Sequence, residues 1–347
     1  MDDVVYQRGD PWFSDGNIIL VTNDQKSPIA FRVHKGVLSR HSEVFQGMFE
    51  MPQPQSVFDA PEDCQVVPMH DLSVELSILV KALYDGPSFA NRSIDDFFYL
   101  AGILRLSTKY CIGHLRTQAI HFLTETWCYT LRGHDNMVDL AVKTPSVNQM
   151  SYPFVHPIHV LNLARETNVR IVLPSVFYFL SLYPLNDLLR ADHPKLLTKH
   201  PSKPSSELHP RDIKDYTLMF QRRLDLLMDF TRRICGERKP TEGCTNQKAC
   251  IRHFTRATFR LERSWKMRTG VFYFMSDAMT EVLQDGTFCI LCREAFQQEV
   301  TQYRQHAWNE LPSVLGLPCW EDLINDEIPS GRIPSSTITL EQELQQV

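Results

Sequence analysis

The sequence lacks long apolar runs. No stretch of about 18 uninterrupted apolar residues occurs, which is the length needed for a membrane-spanning helix. The most apolar segment, residues 171–185, is interrupted by Pro174 and Pro184. The N-terminal residues MDDVVYQRGDPWF also lack the basic and then apolar pattern of a secretory signal. We therefore expect a soluble intracellular protein without a membrane span, and nothing in the sequence separates cytoplasm from nucleus.

Common catalytic and nucleotide-binding motifs are missing as well. The chain contains no GxGxxG, no GxxxxGK[ST], no GxSxG and no HExxH. Its net charge of −5 argues against a protein that coats nucleic acid along its whole length. No set of titratable residues forms a recognisable catalytic arrangement. These absences predict a non-enzymatic protein without a small-molecule substrate.

What is present is a globular composition with two differently patterned parts. The segments 17–22 (NIILVT) and 29–33 (IAFRV) are short β-branched runs joined by turn residues, and they predict a hairpin. A further short strand is predicted at residues 66–69. After it, apolar residues recur at helical spacing, and beyond residue 127 strand signals nearly vanish. The predicted helices of this second part lie at residues 155–167, 175–189 (as one helix or two), 212–235, 250–266 and 270–283.

This order of elements predicts an α+β domain followed by a mostly α-helical domain. The predicted segments are an N-terminal extension (1–10), the α+β domain (11–125), the helical domain (126–325) and a polar, disordered tail (326–347). Within the helical domain, residues 193–210 contain four prolines and are predicted to form a loop.

Several ordered positions in the first domain resemble the BTB/POZ domain. They are Asp15 before the first strand, Phe31-x-x-His34-Lys35-x-x-Leu38, Ser42-x-x-Phe45, Leu83-Tyr84 before a glycine, Leu100-Ala101 and Leu106-x-x-Lys109-Tyr110. The second part is similar to the helical region of fungal BTB proteins. That similarity rests on VLNLARE, LPSVFYFLSLY, CILC and WNELPSVLGLPCW.

The resemblance implies a protein-interaction module that self-associates as a homodimer through its N-terminal segment and first helices. Trp12 and Phe13 would then be exposed apolar anchors, and Asp15 and Lys35 would form an ion pair beside the dimer groove, either on the surface or partly buried. The family also includes substrate adaptors of cullin-type ubiquitin ligases, although no segment marks that role here. His34 has no nucleophile or carboxylate near it in the sequence, so we interpret it as part of the scaffold.

Nine cysteines, an odd number in a chain expected to be intracellular, indicate thiols or metal ligands rather than disulfides. Cys289 and Cys292 form a CxxC pair, and Cys244 and Cys250 could complete a structural zinc site. Five residues separate the latter two, rather than about two to four, so Cys235 or His253 could substitute. The alternative is that these cysteines are small buried apolar residues.

Positive charge is concentrated in one segment. Residues 211–268 hold 15 Lys and Arg against 7 Asp and Glu, a local balance of +8. Helical spacing places four arginines on one face: Arg252, Arg256, Arg260 and Arg263. This stripe could bind phosphates or an acidic partner, or it could be a solvated helix face.

The aromatic residues of this segment, Phe254, Phe259 and Trp265, are predicted to lie on the opposite, core-facing side of the helix. Nucleic acid is therefore not the partner that we expect. The alternative function is a zinc-stabilised, nucleic-acid-linked transcriptional regulator that uses the basic helix at 250–268.

Overall fold

The computed structural model describes residues 6–24, 27–51, 64–147, 150–236, 238–266, 270–284 and 286–328. Its sheet consists of β1 (Gln7–Arg8), β2 (Ile18–Thr22), β3 (Ile29–Val33) and β4 (Gln65–Met69), in the order β1-β3-β2-β4. β2 and β3 pair antiparallel, as the predicted hairpin requires, whereas β4 adds parallel to β2. Pro68 lies in β4, an edge strand, where its missing N–H costs little.

Helices cover one face of this sheet. They are α1 (Lys35–His41), α2 (Glu43–Glu50), α3 (Ser73–Asp85), α4 (Ile94–Lys109) and α5 (Gly113–Thr126). Ser42 caps α2, because its Oγ accepts a hydrogen bond from the Phe45 N–H at 3.1 Å. α3 ends at Gly86, whose φ of +81° is a conformation that favours glycine. We call this sheet and its helices the N-terminal unit.

The described residues from 127 onward form helices and loops, apart from an isolated bridge between Val147 and Met150. We call this part the helical region. Its helices are α6 (Leu131–Lys143), α7 (Pro157–Thr167), α8 (Leu173–Leu180), α9 (Leu185–Arg190), α10 (Pro210–Asp229) with a π-helical continuation (Phe230–Gly236), α11 (Gln247–Ser264), α12 (Val271–Gln284), α13 (Ile290–Asn309), α14 (Leu311–Val314) and α15 (Trp320–Glu327). The α+β unit followed by a helical region confirms the predicted fold class. Among the described residues, no helix has the length and apolarity needed to cross a bilayer.

One apolar core runs through both parts. It extends from Ile18 in the sheet to Ile328 after α15, and α4 packs directly against α7. The predicted boundary near residue 125 falls at the end of α5, and it stays a prediction because the core continues across it. The first two residues of the tail predicted to be disordered, 326 and 327, lie in α15, and from residue 329 on the tail lies outside the described residues.

The proline-rich loop at 193–210 is packed rather than flexible. It contains a short 3-10 turn at Pro194–Leu196. The His200 ring stacks on Phe98 of α4 with centroids 4.4 Å apart. Asn162 of α7 donates to two loop carbonyls, those of Ser205 at 2.8 Å and Glu207 at 3.0 Å. Proline correctly predicted irregular backbone, but the contacts that hold it come from distant helices.

Arg105 of α4 links the two parts through its guanidinium. Nη1 donates to Glu75 Oε1 of α3 and to the Ser202 carbonyl of the loop, both at 2.8 Å. Nε donates to Glu166 Oε2 of α7 at 2.7 Å. The Glu75 side chain is only 6% exposed, so its charge depends on this arginine for compensation.

Arg105→Met is expected to destabilise the chain by about 3–5 kcal/mol, because it leaves the Glu75 carboxylate buried without its partner. Urea unfolding followed by circular dichroism measures this. The control Arg190→Met removes exposed pairs with Asp187 and Asp192 and should cost about 0–1 kcal/mol. Equal losses in the two variants would contradict this role for Arg105.

His134 is buried in an aromatic shell within the helical region. Its ring lies 4.9 Å from Trp308, 5.4 Å from Tyr178 and 5.8 Å from Phe272, measured between centroids. Desolvation, and secondarily the positive charge of Arg304, lowers the pKa of His134 to about 3. Its Nδ1 finds no hydrogen-bond partner among the described residues. The folded chain therefore holds this imidazole neutral.

The free energy of unfolding is expected to fall as the pH drops below about 6.5, because the histidines of the unfolded chain then bind protons. The buried histidines of the folded chain, His134 and two others, stay neutral at this pH. Burial also lowers the pKa of His156 to about 3 and that of His159 to about 4. Each of these histidines lowers the free energy of unfolding by up to about 1.4 kcal/mol for each pH unit below its pKa in the unfolded chain. His134→Phe should make the decline between pH 6 and 4 shallower by one histidine's share, as measured by urea unfolding across pH. An unchanged slope would refute the neutral, buried state of His134.

Candidate interaction surface and metal centre

His34 stands at the corner between β3 and α1. Its backbone N–H donates to Tyr84 Oη at 3.0 Å, and its Nδ1 lies 2.9 Å from the same hydroxyl. Its Nε2 lies 3.4 Å from Asp15 Oδ2, a carboxylate partner that sequence proximity had not revealed. Burial raises the pKa of Tyr84, so the phenol stays protonated and offers no nucleophile. These contacts fit the interpretation of His34 as a buttress.

Asp15 pairs with His34 rather than with Lys35. Lys35 is the first residue of α1, and its side chain turns toward β4, where Nζ donates to Gln65 Oε1 at 2.5 Å. The Asp15 side chain is 82% exposed, so the alternative of a partly buried pair does not hold for a single chain. The direction in which the Lys35 side chain leaves α1 therefore determines that Asp15 pairs with His34.

Trp12 and Phe13 are half-buried within one chain rather than exposed anchors. The Phe13 ring stacks on Tyr84, with centroids 4.5 Å apart, and packs on the main core. Trp12 covers the other face of the sheet with Tyr6, and the Arg8 guanidinium lies 4.8 Å from the indole centroid. The residues beneath Trp12 form a second small core: Ile19, Val21, Ala30, Cys64 and Val66.

The surface of α1 and α2 has a polarised charge pattern. α1 carries Lys35 and Arg40 and no acidic residue, whereas α2 carries Glu43 and Glu50 and no basic residue. Apolar and small residues of α2 and its C-cap recur at i, i+3, i+4 and i+7: Val44, Gly47, Met48, which also packs against the core, and Met51. Val44 is 41% exposed. We call this surface the α1–α2 face.

Four thiols converge in the helical region from three separate segments. Cys244 lies in the loop before α11, Cys250 in the first turns of α11, and Cys289 and Cys292 at the start of α13. Their sulfur atoms all lie within 4.8 Å of one another. The Sγ atoms of Cys244 and Cys289 are 3.6 Å apart although the two residues lie 45 positions apart in the sequence. The four cysteines that were predicted as zinc ligands therefore form one cluster.

Backbone groups and helix ends favour negative charge at Cys289, whereas desolvation raises the pKa of the Cys244 and Cys250 thiols. Cys289 is the N-cap of α13, and its Sγ accepts from the Cys292 N–H at 3.4 Å. That hydrogen bond is the main reason why the pKa of Cys289 is lowered to about 6. The N-terminus of α11, capped by Asn246, lies on the same side, so two positive helix ends meet here. Thr241 adds a backbone N–H to Cys292 Sγ at 3.4 Å.

Cys235 and His253, the suggested substitutes, are not in the cluster. Cys235 is buried in the π-helical segment, where desolvation raises the pKa of its thiol to about 12. His253 Nδ1 lies 3.0 Å from Thr287 Oγ1, and its ring packs on Phe288. Cys244 and Cys250 therefore both reach the cluster despite their unusual spacing, because Cys244 lies in the loop before α11 and Cys250 in the helix.

The four arginines of the basic stripe are exposed on α11, as their spacing predicts. Arg260 Nε lies 2.5 Å from Glu281 Oε1 of α12, so part of the charge is offset within the chain. Phe254 is buried as expected, but the expectation for Phe259 was wrong, since it is 62% exposed. Phe259 follows Arg256 by three positions and precedes Arg263 by four, which places it among the arginines.

Comparison with known proteins addresses the N-terminal unit. The family model of the BTB/POZ domain matches residues 15–126, from just before β2 to the last residue of α5. No curated protein and no solved structure matches the chain. The match covers about a third of the chain and leaves the helical region outside it. Residues 15–126 therefore belong to the BTB/POZ family, whose domain is a protein–protein interaction module.

Proposed function

We propose that this protein is a non-enzymatic scaffold or adaptor that self-associates through the α1–α2 face of its BTB/POZ domain. The observation that carries the proposal is the opposite charge of the two adjacent helices. A two-fold interface presents the same patch on both subunits, so the patch must complement itself. With α1 of one chain on α2 of the other, Arg40 would face the acidic residues Glu43 and Glu50 twice over, and Lys35 would join it on leaving its hydrogen bond to Gln65.

The same face supplies apolar area and space for a close approach. Val44 is the exposed apolar residue at the start of the α2 stripe. Among the described residues, an added Cβ at Gly36 or Gly47 would meet nothing within 4 Å. A partner helix could therefore approach the backbone of both helices without displacing side chains. Apolar contact in the middle with charged residues around it is the usual arrangement of a specific interface.

The mechanism is recognition without a covalent step. Affinity would come from buried apolar area, and orientation from the charge pattern. Since one core joins the BTB/POZ domain to the helical region, a dimer would hold two helical regions in a fixed relation. The helical regions would then be the surfaces offered to other proteins, which is what a scaffold or an adaptor requires.

Native mass spectrometry of the full chain should find a dimer of twice 40.2 kDa. Val44→Arg should weaken dimerisation at least about tenfold, equivalent to about 1.4 kcal/mol, because it places a charge in the apolar part of the face. The matched control is Val142→Arg in α6, where the valine is 73% exposed, and it should dimerise like the wild type. A monomeric wild type, or equal effects of the two variants, would reject the proposal.

A second candidate function is binding of single-stranded nucleic acid by α11. The specific observation behind it is the exposure of Phe259 among Arg256, Arg260 and Arg263. Aromatic rings that stack on bases, set in a positively charged surface, are the usual elements of such binding. The local charge balance of +8 around this helix has the required sign.

This second candidate predicts binding of a labelled single-stranded oligonucleotide that falls steeply with salt. Binding is measured by fluorescence anisotropy. The double variant Arg256→Gln, Arg263→Gln should reduce the slope of log K against log salt concentration by about 1.4. Phe259→Ala should weaken binding by about 1–3 kcal/mol. Arg92→Gln, an exposed arginine of the BTB/POZ domain, is the control. Absence of salt-dependent binding in the wild type would eliminate this function.

A further inference from the structure

We propose that Cys244, Cys250, Cys289 and Cys292 together bind one structural Zn²⁺ ion in the helical region. A tetrahedral ion with zinc–sulfur bonds of about 2.3 Å holds its four sulfurs about 3.8 Å apart. The Cys244–Cys289 separation of 3.6 Å and the limit of 4.8 Å for the whole set match that geometry after small side-chain rotations.

The chemistry of the donors selects the ion and its role. Four thiols are soft ligands, which favour zinc over the oxygen-seeking ions Mg²⁺ and Ca²⁺. An iron–sulfur cluster also uses four cysteines, but bridging sulfides and several irons would hold the thiolates farther apart than they lie here. Four protein ligands leave no position for water or substrate, so the ion would be structural.

The charge of the complex would favour a basic sequence around its ligands. Zn²⁺ with four thiolates carries a net charge of −2, which needs nearby positive groups. The segment 238–252, which contains two of the ligands, holds four basic residues and one acidic residue, namely Arg238, Lys239, Lys248, Arg252 and Glu242. The N-terminal ends of α11 and α13 add partial positive charge. The negative charge of the proposed zinc complex would explain part of the basicity of this segment.

The ion would fasten the loop between the π-helical segment and α11 onto the start of α13. Arg238 at the beginning of this loop is held independently, because its guanidinium lies 5.2 Å from the Phe254 ring and 5.1 Å from the Phe296 ring. It also pairs with Glu299 of α13. Beyond Arg238, the metal ligands would be the main link across the residues up to Cys250. Loss of zinc should therefore loosen this loop and α11 while the BTB/POZ domain stays folded.

The test uses the full chain, purified without added metal or chelator. Elemental analysis and native mass spectrometry should find about one zinc per chain. The variants Cys289→Ser and Cys292→Ser should each retain less than about a tenth of the zinc that the wild-type chain binds. The controls Cys235→Ser and Cys319→Ser change cysteines outside the cluster, one buried and one exposed, and should retain one zinc. Co²⁺ in place of zinc should give the absorption of a tetrahedral thiolate complex.

A second measurement keeps the proposal testable if the ligand variants do not fold. Chelation of the wild-type chain should remove the zinc and part of the helical circular dichroism signal, and added Zn²⁺ should restore both. Zinc that is absent, or equally retained by the ligand and control variants, would overturn the proposal. So would a disulfide between Cys244 and Cys289 in the freshly purified chain. The native spectrum reports dimerisation separately, so a failure of the zinc site is distinguishable from a failure of self-association.

Discussion

The contact between α4 and α7 is the interaction on which the rest of the structure depends. It joins the apolar side of the BTB/POZ domain to the helical region, so that one core extends from Ile18 to Ile328. Arg105 of α4 adds ion pairs to the same contact, one with Glu75 of α3 and one with Glu166 of α7. Because burial of apolar area supplies most of the stability of a fold, neither part is expected to keep its full stability when separated from the other.

This shared core has a consequence for function. An interaction domain tethered by a flexible linker leaves its cargo free to reorient, whereas one that shares a core transmits its orientation. In the proposed assembly the α1–α2 face would set the relation between two chains, and the core would carry that relation to the helical regions. The cysteine cluster lies in α11, α13 and the loop before α11, at a distance in sequence from the dimer face. Its proposed ion would stabilise the helical region.

Local sequence pattern was sufficient for much of the fold. The β-branched runs predicted β2 and β3, and apolar spacing located α7, α10, α11 and α12 within a few residues. These features depend on neighbours that are close in sequence. The segment 175–189, predicted as one helix or two, forms the two helices α8 and α9 on either side of Pro184, because the residue before a proline disfavours helical backbone.

Features that arise from long-range contacts were missed or only partly predicted. The pairing of Asp15 with His34 depends on how β2 and β3 bring the two together, and the packing of loop 193–210 depends on Phe98 and Asn162. Phe259 was placed in the core because aromatic residues usually lie there, although its own helical position matches that of the arginines. For the cysteines, the CxxC pair was visible in the sequence, whereas the convergence of Cys244 and Cys250 on it required the fold.

The most direct test of the central claim, that the chain associates through the α1–α2 face, is hydrogen–deuterium exchange of the full chain at two protein concentrations. We expect amides of α1 and α2 to become more protected as concentration rises, while those of α11 do not change, because only the former would be covered by a second copy. Protection of α1 and α2 that is independent of concentration through the range where dimers form would contradict it, and so would a concentration-dependent increase located elsewhere.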